Sequence, residues 1–251
     1  MKYSGIDFLY SKIFLEKLNS MGNILIVGGS RGIGYSTSKL LSDKHNLFVA
    51  SRTNENLSNL NCKYINFDAL SDENINPQLP ESIDGLVYCP GSINLKPFKS
   101  LKAEDFLNDF NINVIGAIKV IQSVIDKLRI SESASVVLFS TVAVKIGMPF
   151  HSSVSSAKAA LEGLTKSLAA EYAPKVRFNC ISLSLVKTEL ADKFLNTDLK
   201  IEKAEQRHPL NSVGNADDIA FLVDYLLSKK SKWMSGQIIS LDGGLSSLKT
   251  N

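Results

Sequence analysis

"NILIVGGSRGIGYSTSKLLSDK", Asn23 to Lys44, decides the fold. Its first part, Asn23 to Gly29, is a short run of branched apolar residues ending in glycines, the pattern of a buried strand. Its second part sets Ile33, Thr37, Leu40 and Leu41 at helical spacing. Between them "GGSRGIG", Gly28 to Gly34, turns strand into helix. Glycines there allow close backbone approach, and the helix start offers unpaired N–H groups and a positive dipole end to a pyrophosphate. Gly28, Ser30, Arg31, Gly32, Ile33 and Gly34 are therefore expected to line a dinucleotide site, with the spacing G-x-x-x-G-x-G.

The alternation continues outward from this unit. "LFVASR", "KYINFD", "DGLVYCPG", "SVVLFS", "VRFNCISL" and "QIISLDGG" read as further strands. Helical patterns run from Ala103 to Leu128, around Lys158, and from about Asp217 to Ser228. A polar segment spans Thr188 to Gly214. Strands apolar throughout belong in a sheet covered on both faces, and strand–helix alternation implies parallel pairing through right-handed crossovers. The expected fold is a doubly wound, Rossmann-like α/β sheet of about seven strands in a single domain over residues 21–251. Residues 1–20 read as an N-terminal extension, either an amphipathic helix packing on the body or a dispensable segment ahead of Met21. Asp7, Lys12, Glu16 and Lys17 interrupt its apolar positions, which breaks any signal-peptide core.

Composition narrows the function classes. The 251 residues carry a net charge of +3, too mild to argue for nucleic acid. No apolar run approaches the length of a membrane span. Cys62, Cys89 and Cys180 are far apart and odd in number, so neither a disulfide framework nor a metal site is expected, and a reducing, cytoplasmic setting fits. The second strand ends in "ASRT" with Arg52 where an NAD site usually wants an acid. Arg52 and Arg31 could clamp a 2′-phosphate, which favours NADP(H), or both could be solvated. Asp68, ending the third strand, reads as an adenine contact or as a cap or turn residue.

With these residues in view, the chain resembles the short-chain dehydrogenase/reductase family from Asn23 to Gly244. "GGSRGIG", "NINVIGA", "LFSTVAV", "AKAALEGLTKSLAAEYAPKVRFNCIS", "PLNSVGNADDIA" and "SGQIISLDGG" carry the resemblance. It implies that Gly91 and Thr188 help bind the cofactor, and that Lys158 holds the nicotinamide ribose. It also implies that Asn113 supports a proton-relay water and that Thr141, with Ser140 beside it, takes the place of the serine that steadies the substrate oxygen. The family's proton-donating tyrosine falls at Val154, one helical turn before Lys158. "YCPG" stands for Asn-Asn-Ala-Gly, and Leu183 and Ser184 stand for Pro-Gly.

Two readings follow. One is an NADP(H)-dependent oxidoreductase acting on a small apolar carbonyl or activated double bond, with His151 or Tyr88 as substitute acid. His151 could equally face solvent at a helix start, and Tyr88 could simply pack. Met148, Phe150 and the segment Thr188 to Gly214 are expected to enclose the substrate, and Ser152 or Ser153 to cap the helix. The other reading is an NADP(H)-binding sensor or partner protein without turnover. The resemblance further implies a homodimer or homotetramer through the helices at Ala103–Leu128 and around Lys158, where Gly163, Ala169 and Ala170 are small enough for close packing.

Overall fold

The computed structural model describes residues 21–250; the N-terminal extension expected over residues 1–20 lies outside the described residues. Seven parallel strands form one sheet: β1 (Asn23–Val27), β2 (Asn46–Ser51), β3 (Cys62–Asn66), β4 (Gly85–Tyr88), β5 (Ala134–Thr141), β6 (Val176–Leu183) and β9 (Ile238–Leu241). Their order is β3-β2-β1-β4-β5-β6-β9. Two-residue strands β7 (Val186–Lys187) and β8 (Gly214–Asn215) pair with each other and pinch off the segment between them. The sequence reading of a doubly wound α/β sheet is therefore what the chain forms.

Both faces of the sheet are covered, so neighbouring residues of one strand feed two cores. Leu25 and Val27 pack toward the long helix, with Val120, Ile121 and Val124. Ile24 and Ile26 pack the other way, with Leu41 of α1 (Gly32–Leu41) and Ile219, Val223 and Leu226 of α8 (Ala216–Leu227). This double burial explains the absence of polar alternation in the central strands.

The helix expected from Ala103 to Leu128 is interrupted. It runs as α2 (Ala103–Phe110), a π turn at Asn111–Ile115, and α3 (Gly116–Ile130). The Tyr88 hydroxyl, arriving from the end of β4, donates to the Ile112 carbonyl at 2.7 Å. A widened turn frees carbonyls from the helix ladder, and the phenol supplies one with a partner. A Cβ on Gly116 would stand 2.3 Å from that hydroxyl, so only glycine leaves room for it.

After β5 come a short α4 (Ala143–Ile146) and α5 (Ser152–Tyr172), the helix of Lys158. The polar segment from Thr188 folds into α6 (Asp192–Leu195) and α7 (Asp198–Gln206), a lid over the carboxyl ends of the strands. The buried Arg177 on β6 anchors the end of α8: its guanidinium donates to the carbonyls of Leu226 at 2.9 Å, Ser231 at 3.0 Å and Met234 at 3.3 Å. A cation among the last carbonyls of a helix complements its dipole.

Candidate active site

The strand order reverses between β1 and β4, and in open α/β sheets ligands bind at the carboxyl edge of that crevice. "GGSRGIG" forms the turn there. A Cβ on Gly34 would stand 2.1 Å from the Gly28 carbonyl, so the helix lies against the turn as a phosphate cradle requires. Ser30 is buried, and its carbonyl accepts from Asn56 Nδ2 at 3.0 Å. Thr188 packs against Gly32, with its Cγ2 3.3 Å from where a Cβ would stand. Arg31 is engaged by Glu55 at 3.0 Å and faces Glu189 at 3.6 Å. Arg52 is exposed at the end of β2 with no partner among the described residues. Asp68 serves a turn: its Oδ1 accepts from the Leu70 N–H at 3.0 Å.

Beyond the cradle lies a cavity of about 570 Å³. Ile33 and Gly91 border it on the cradle side, and Thr141 and Ser184 form part of its floor. His151 at the start of α5, and Val154 and Lys158 on it, line the cavity on one side, while Lys193, Lys203 and Arg207 line it from the lid. Met148 lines it as expected. Phe150 does not; it takes a left-handed backbone (φ 70°), its ring is exposed, and its carbonyl accepts from Lys96 N–H.

Three of the sequence candidates meet on one side of the cavity. A Cβ on Gly91 would lie 3.1 Å from Asn113 Oδ1 and 3.4 Å from Lys158 Nζ. Asn113 is fully buried; its Nδ2 donates to Ser92 Oγ at 3.0 Å and to the Asp109 carbonyl at 2.7 Å, while Oδ1 has no partner. An orphaned acceptor, an unoccupied Cβ position and an amine without a hydrogen bond among the described residues together fit a polar ligand such as a ribose edge. Burial holds the Lys158 ammonium down to about 8. Cys89 and Cys180 stand near this amine, and burial pushes both thiols up to about 12, so neither is a nucleophile.

The hydroxyls sort themselves by partner. Thr141 Oγ1 accepts from the Ala143 N–H at 3.3 Å, which leaves its own hydrogen for the cavity. Ser140 donates to Glu162 Oε1 at 2.5 Å and turns into α5. Neither Ser152 nor Ser153 caps α5; His151 holds that position, without a side-chain cap bond. Ser153 is drawn instead to α2, where its hydroxyl donates to the buried Asp109 carboxylate; Ser92 donates to the other oxygen of that carboxylate. Tyr88 is tied to Ile112, and burial raises its phenol far above the ordinary range, which removes it as an acid. His151 Nδ1 lies 2.7 Å from the Pro149 carbonyl, with Nε2 unengaged among the described residues.

Sequence reasoning missed His208. It is 4% exposed and lines the same cavity. Its Nδ1 lies 2.7 Å from the Ala204 carbonyl and its Nε2 2.9 Å from Ser184 Oγ. The only signal was Ser184 itself, noted as a departure from Pro-Gly.

Residues 28–246 match the family described as enoyl-(acyl carrier protein) reductase. The chain belongs to the short-chain dehydrogenase/reductase family. The 3-oxoacyl-(acyl-carrier-protein) reductase FabG of Chlamydia trachomatis is 27% identical over 239 residues, covering 88% of this chain and 96% of that protein. A tropinone reductase homolog of Arabidopsis thaliana is 28% identical over 238 residues, 88% of this chain and 90% of that protein. A short-chain dehydrogenase family protein of Francisella tularensis superposes with a TM-score of 0.83 at 28% identity, over 91% of this chain and all of that one. The fold is thus that of a family of oxidoreductases that bind a nicotinamide cofactor. No helix among the described residues is long and apolar enough to cross a membrane, and no cluster of metal-ligating side chains occurs among them.

Proposed function

We propose that the chain is an NADP(H)-dependent oxidoreductase acting on a small, apolar carbonyl or activated double bond, without the family's tyrosine. The observation that carries this reading is the meeting of Lys158, Asn113 and Gly91 at one side of an apolar cavity that also holds Thr141. A bare cofactor-binding module has no need of that cavity.

Gly28, Ser30, Gly32, Ile33 and Gly34 would hold the pyrophosphate, and Thr188 would close over it. Arg52, exposed and unengaged, would meet the 2′-phosphate, and Arg31 would share it by leaving Glu55 or bridging from it. Asp68, committed to its turn, would border the adenine through the backbone it shapes. Lys158 and Gly91 would take the nicotinamide ribose. When bound, NADP(H) supplies or accepts the hydride. Thr141 would donate its free hydrogen to the substrate oxygen. Val154 narrows the cavity with a group that cannot exchange a proton; His151, with one ring nitrogen unengaged, is the candidate acid that sequence alone suggests. General acid catalysis contributes about 10²–10⁴-fold, so its loss slows reduction without abolishing it. The family description and the FabG relative favour an activated C=C or a 3-oxo group as the reacting bond.

The valine also favours a second reading, a cofactor-binding sensor without turnover. The two separate on one assay. The purified protein should bind NADPH, read by nicotinamide fluorescence, and oxidise it in the presence of ethyl acetoacetate, diacetyl or a crotonyl thioester. Binding without turnover of any of them supports the sensor; absence of NADPH binding overturns both. We further propose a cytoplasmic homo-oligomer, joined through the long helix, where Leu107 is 62% and Phe110 39% exposed.

A further inference from the structure

Ser184 follows β6, whose last residue, Leu183, pairs with Thr141 of β5. Its hydroxyl therefore emerges at the same edge of the sheet as Thr141, and both line the cavity. His208 follows α7 and packs its ring within 3.5 Å of the Cβ position of Gly243. A carbonyl only accepts, so the 2.7 Å contact with Ala204 puts a hydrogen on Nδ1. In the neutral ring Nε2 is then an acceptor, and the 2.9 Å contact makes Ser184 its donor. Hydroxyl, imidazole and orienting carbonyl thus form a connected line that ends in the cavity.

We propose that His208 and Ser184 supply the proton that Val154 cannot. This rests on the oxidoreductase reading above. In reduction the ring enters as imidazolium, with both nitrogens donating: Nδ1–H to Ala204 and Nε2–H to Ser184. The Ser184 hydrogen then turns into the cavity. As the carbonyl carbon gains a hydride from the reduced nicotinamide, the carbonyl oxygen takes the Ser184 proton. Ser184 takes the Nε2 proton in its place. The sum is carbonyl, NADPH and one proton giving alcohol and NADP⁺, with solvent returning the proton to the imidazole. In oxidation every transfer reverses, and the ring must start neutral. For an activated double bond the same proton goes to the carbon or oxygen that bears the developing charge.

Charged groups surround the ring on every side. Glu205 and Arg207 flank it on its own segment, and Asp242 adjoins Gly243 behind it. The cations Lys200 and Lys203 of α7 line the same cavity, as do Lys193 of α6 and Lys158 of α5. Glu205 faces Lys187 at 4.0 Å, and Asp242 accepts from the Gly244 and Ser246 N–H groups. Reduction uses the protonated ring and oxidation the neutral one, so reduction should slow and oxidation quicken as pH rises.

The test measures NADPH affinity and the pH profile of ethyl acetoacetate reduction for wild type, Ser184→Ala, Ser184→Thr, His208→Gln and His151→Gln. His208→Gln and Ser184→Ala are each expected to slow reduction by roughly 10²-fold. NADPH affinity should stay within about twofold of wild type, since neither group is needed to hold the cofactor. His208→Gln should also flatten the pH dependence of reduction, and Ser184→Thr, which keeps the hydroxyl, should restore most of the rate. The proposal falls if Ser184→Ala, folded and binding NADPH, reduces the ester at the wild-type rate. It falls equally if the rate loss and the flattened profile follow His151→Gln instead. Wild type that binds NADPH and turns nothing over removes the oxidoreductase reading and the relay with it; turnover indifferent to both variants removes the relay alone.

Discussion

Lys158 carries its charge in a place that discourages it. Burial holds the amine down to about 8, and no hydrogen bond from the described residues offsets that cost. The unfolded chain binds the proton up to a free lysine's range near 10.5, whereas the folded chain releases it from about 8. Between these limits the unfolded state holds more protons, so the stability of the cofactor-free protein should rise with pH across this window. Chemical denaturation at several pH values should show that rise in wild type and not in Lys158→Met. A neighbouring pair is equally specific. Tyr88→Phe leaves the Ile112 carbonyl unpaired, with an expected cost of about 1–3 kcal/mol. Gly116→Ala drives a methyl to 2.3 Å from the Tyr88 hydroxyl, so the double variant should lose less than the two single losses added together. At this scale the candidates Lys158, Asn113 and Thr141 were legible because each sits inside a motif of fixed spacing. His208 was not: its partner lies 24 residues away, and a lone histidine shows nothing until the lid folds over the sheet. The Ser92–Asp109–Ser153 cluster escaped for the same reason, since three ordinary polar residues become informative only when buried together.

Elements were legible where apolar periodicity is strong and blurred where a long-range hydrogen bond reshapes them. The strands and α8 follow their apolar runs closely. The long helix reads as uninterrupted because its apolar spacing survives the π turn, while one hydrogen-bond partner of that turn, the Tyr88 hydroxyl, belongs to β4. The lid helices α6 and α7 are short and polar, and their periodicity is too weak to see. Arg177 gives an element-scale test. Arg177→Met removes one donor from each of the carbonyls of Leu226, Ser231 and Met234; Leu226 keeps the Ser135 and Ser231 hydroxyls, Ser231 keeps the Met234 N–H and Met234 keeps Asn179 Nδ2, so a loss of about 1–3 kcal/mol is expected in denaturant unfolding. A loss below about 1 kcal/mol would show that the remaining donors suffice without the guanidinium. Gly34→Ala acts on the cradle, because a methyl 2.1 Å from a backbone carbonyl forces helix and turn apart. Its expected signature is weaker NADPH and NADH binding alike, whereas Arg52→Ala should weaken NADPH about tenfold or more and leave NADH nearly unchanged.

On the scale of the whole molecule, one sheet with both faces covered was evident from uninterrupted apolar strands, and the crevice between β1 and β4 follows from the strand order. Everything proposed for function converges at the carboxyl edge of that crevice: cradle, ribose-facing amine, apolar cavity and lid. Oligomerisation is tested by sedimentation, where Leu107→Glu with Phe110→Glu should release monomers from the expected assembly. The most direct measurement for the account as a whole is NADPH oxidation with ethyl acetoacetate by wild type and by Val154→Tyr. The expected result is measurable turnover by wild type, raised by restoring the phenol one helical turn before Lys158. Turnover by Val154→Tyr alone, with wild type binding NADPH yet inert, would contradict it.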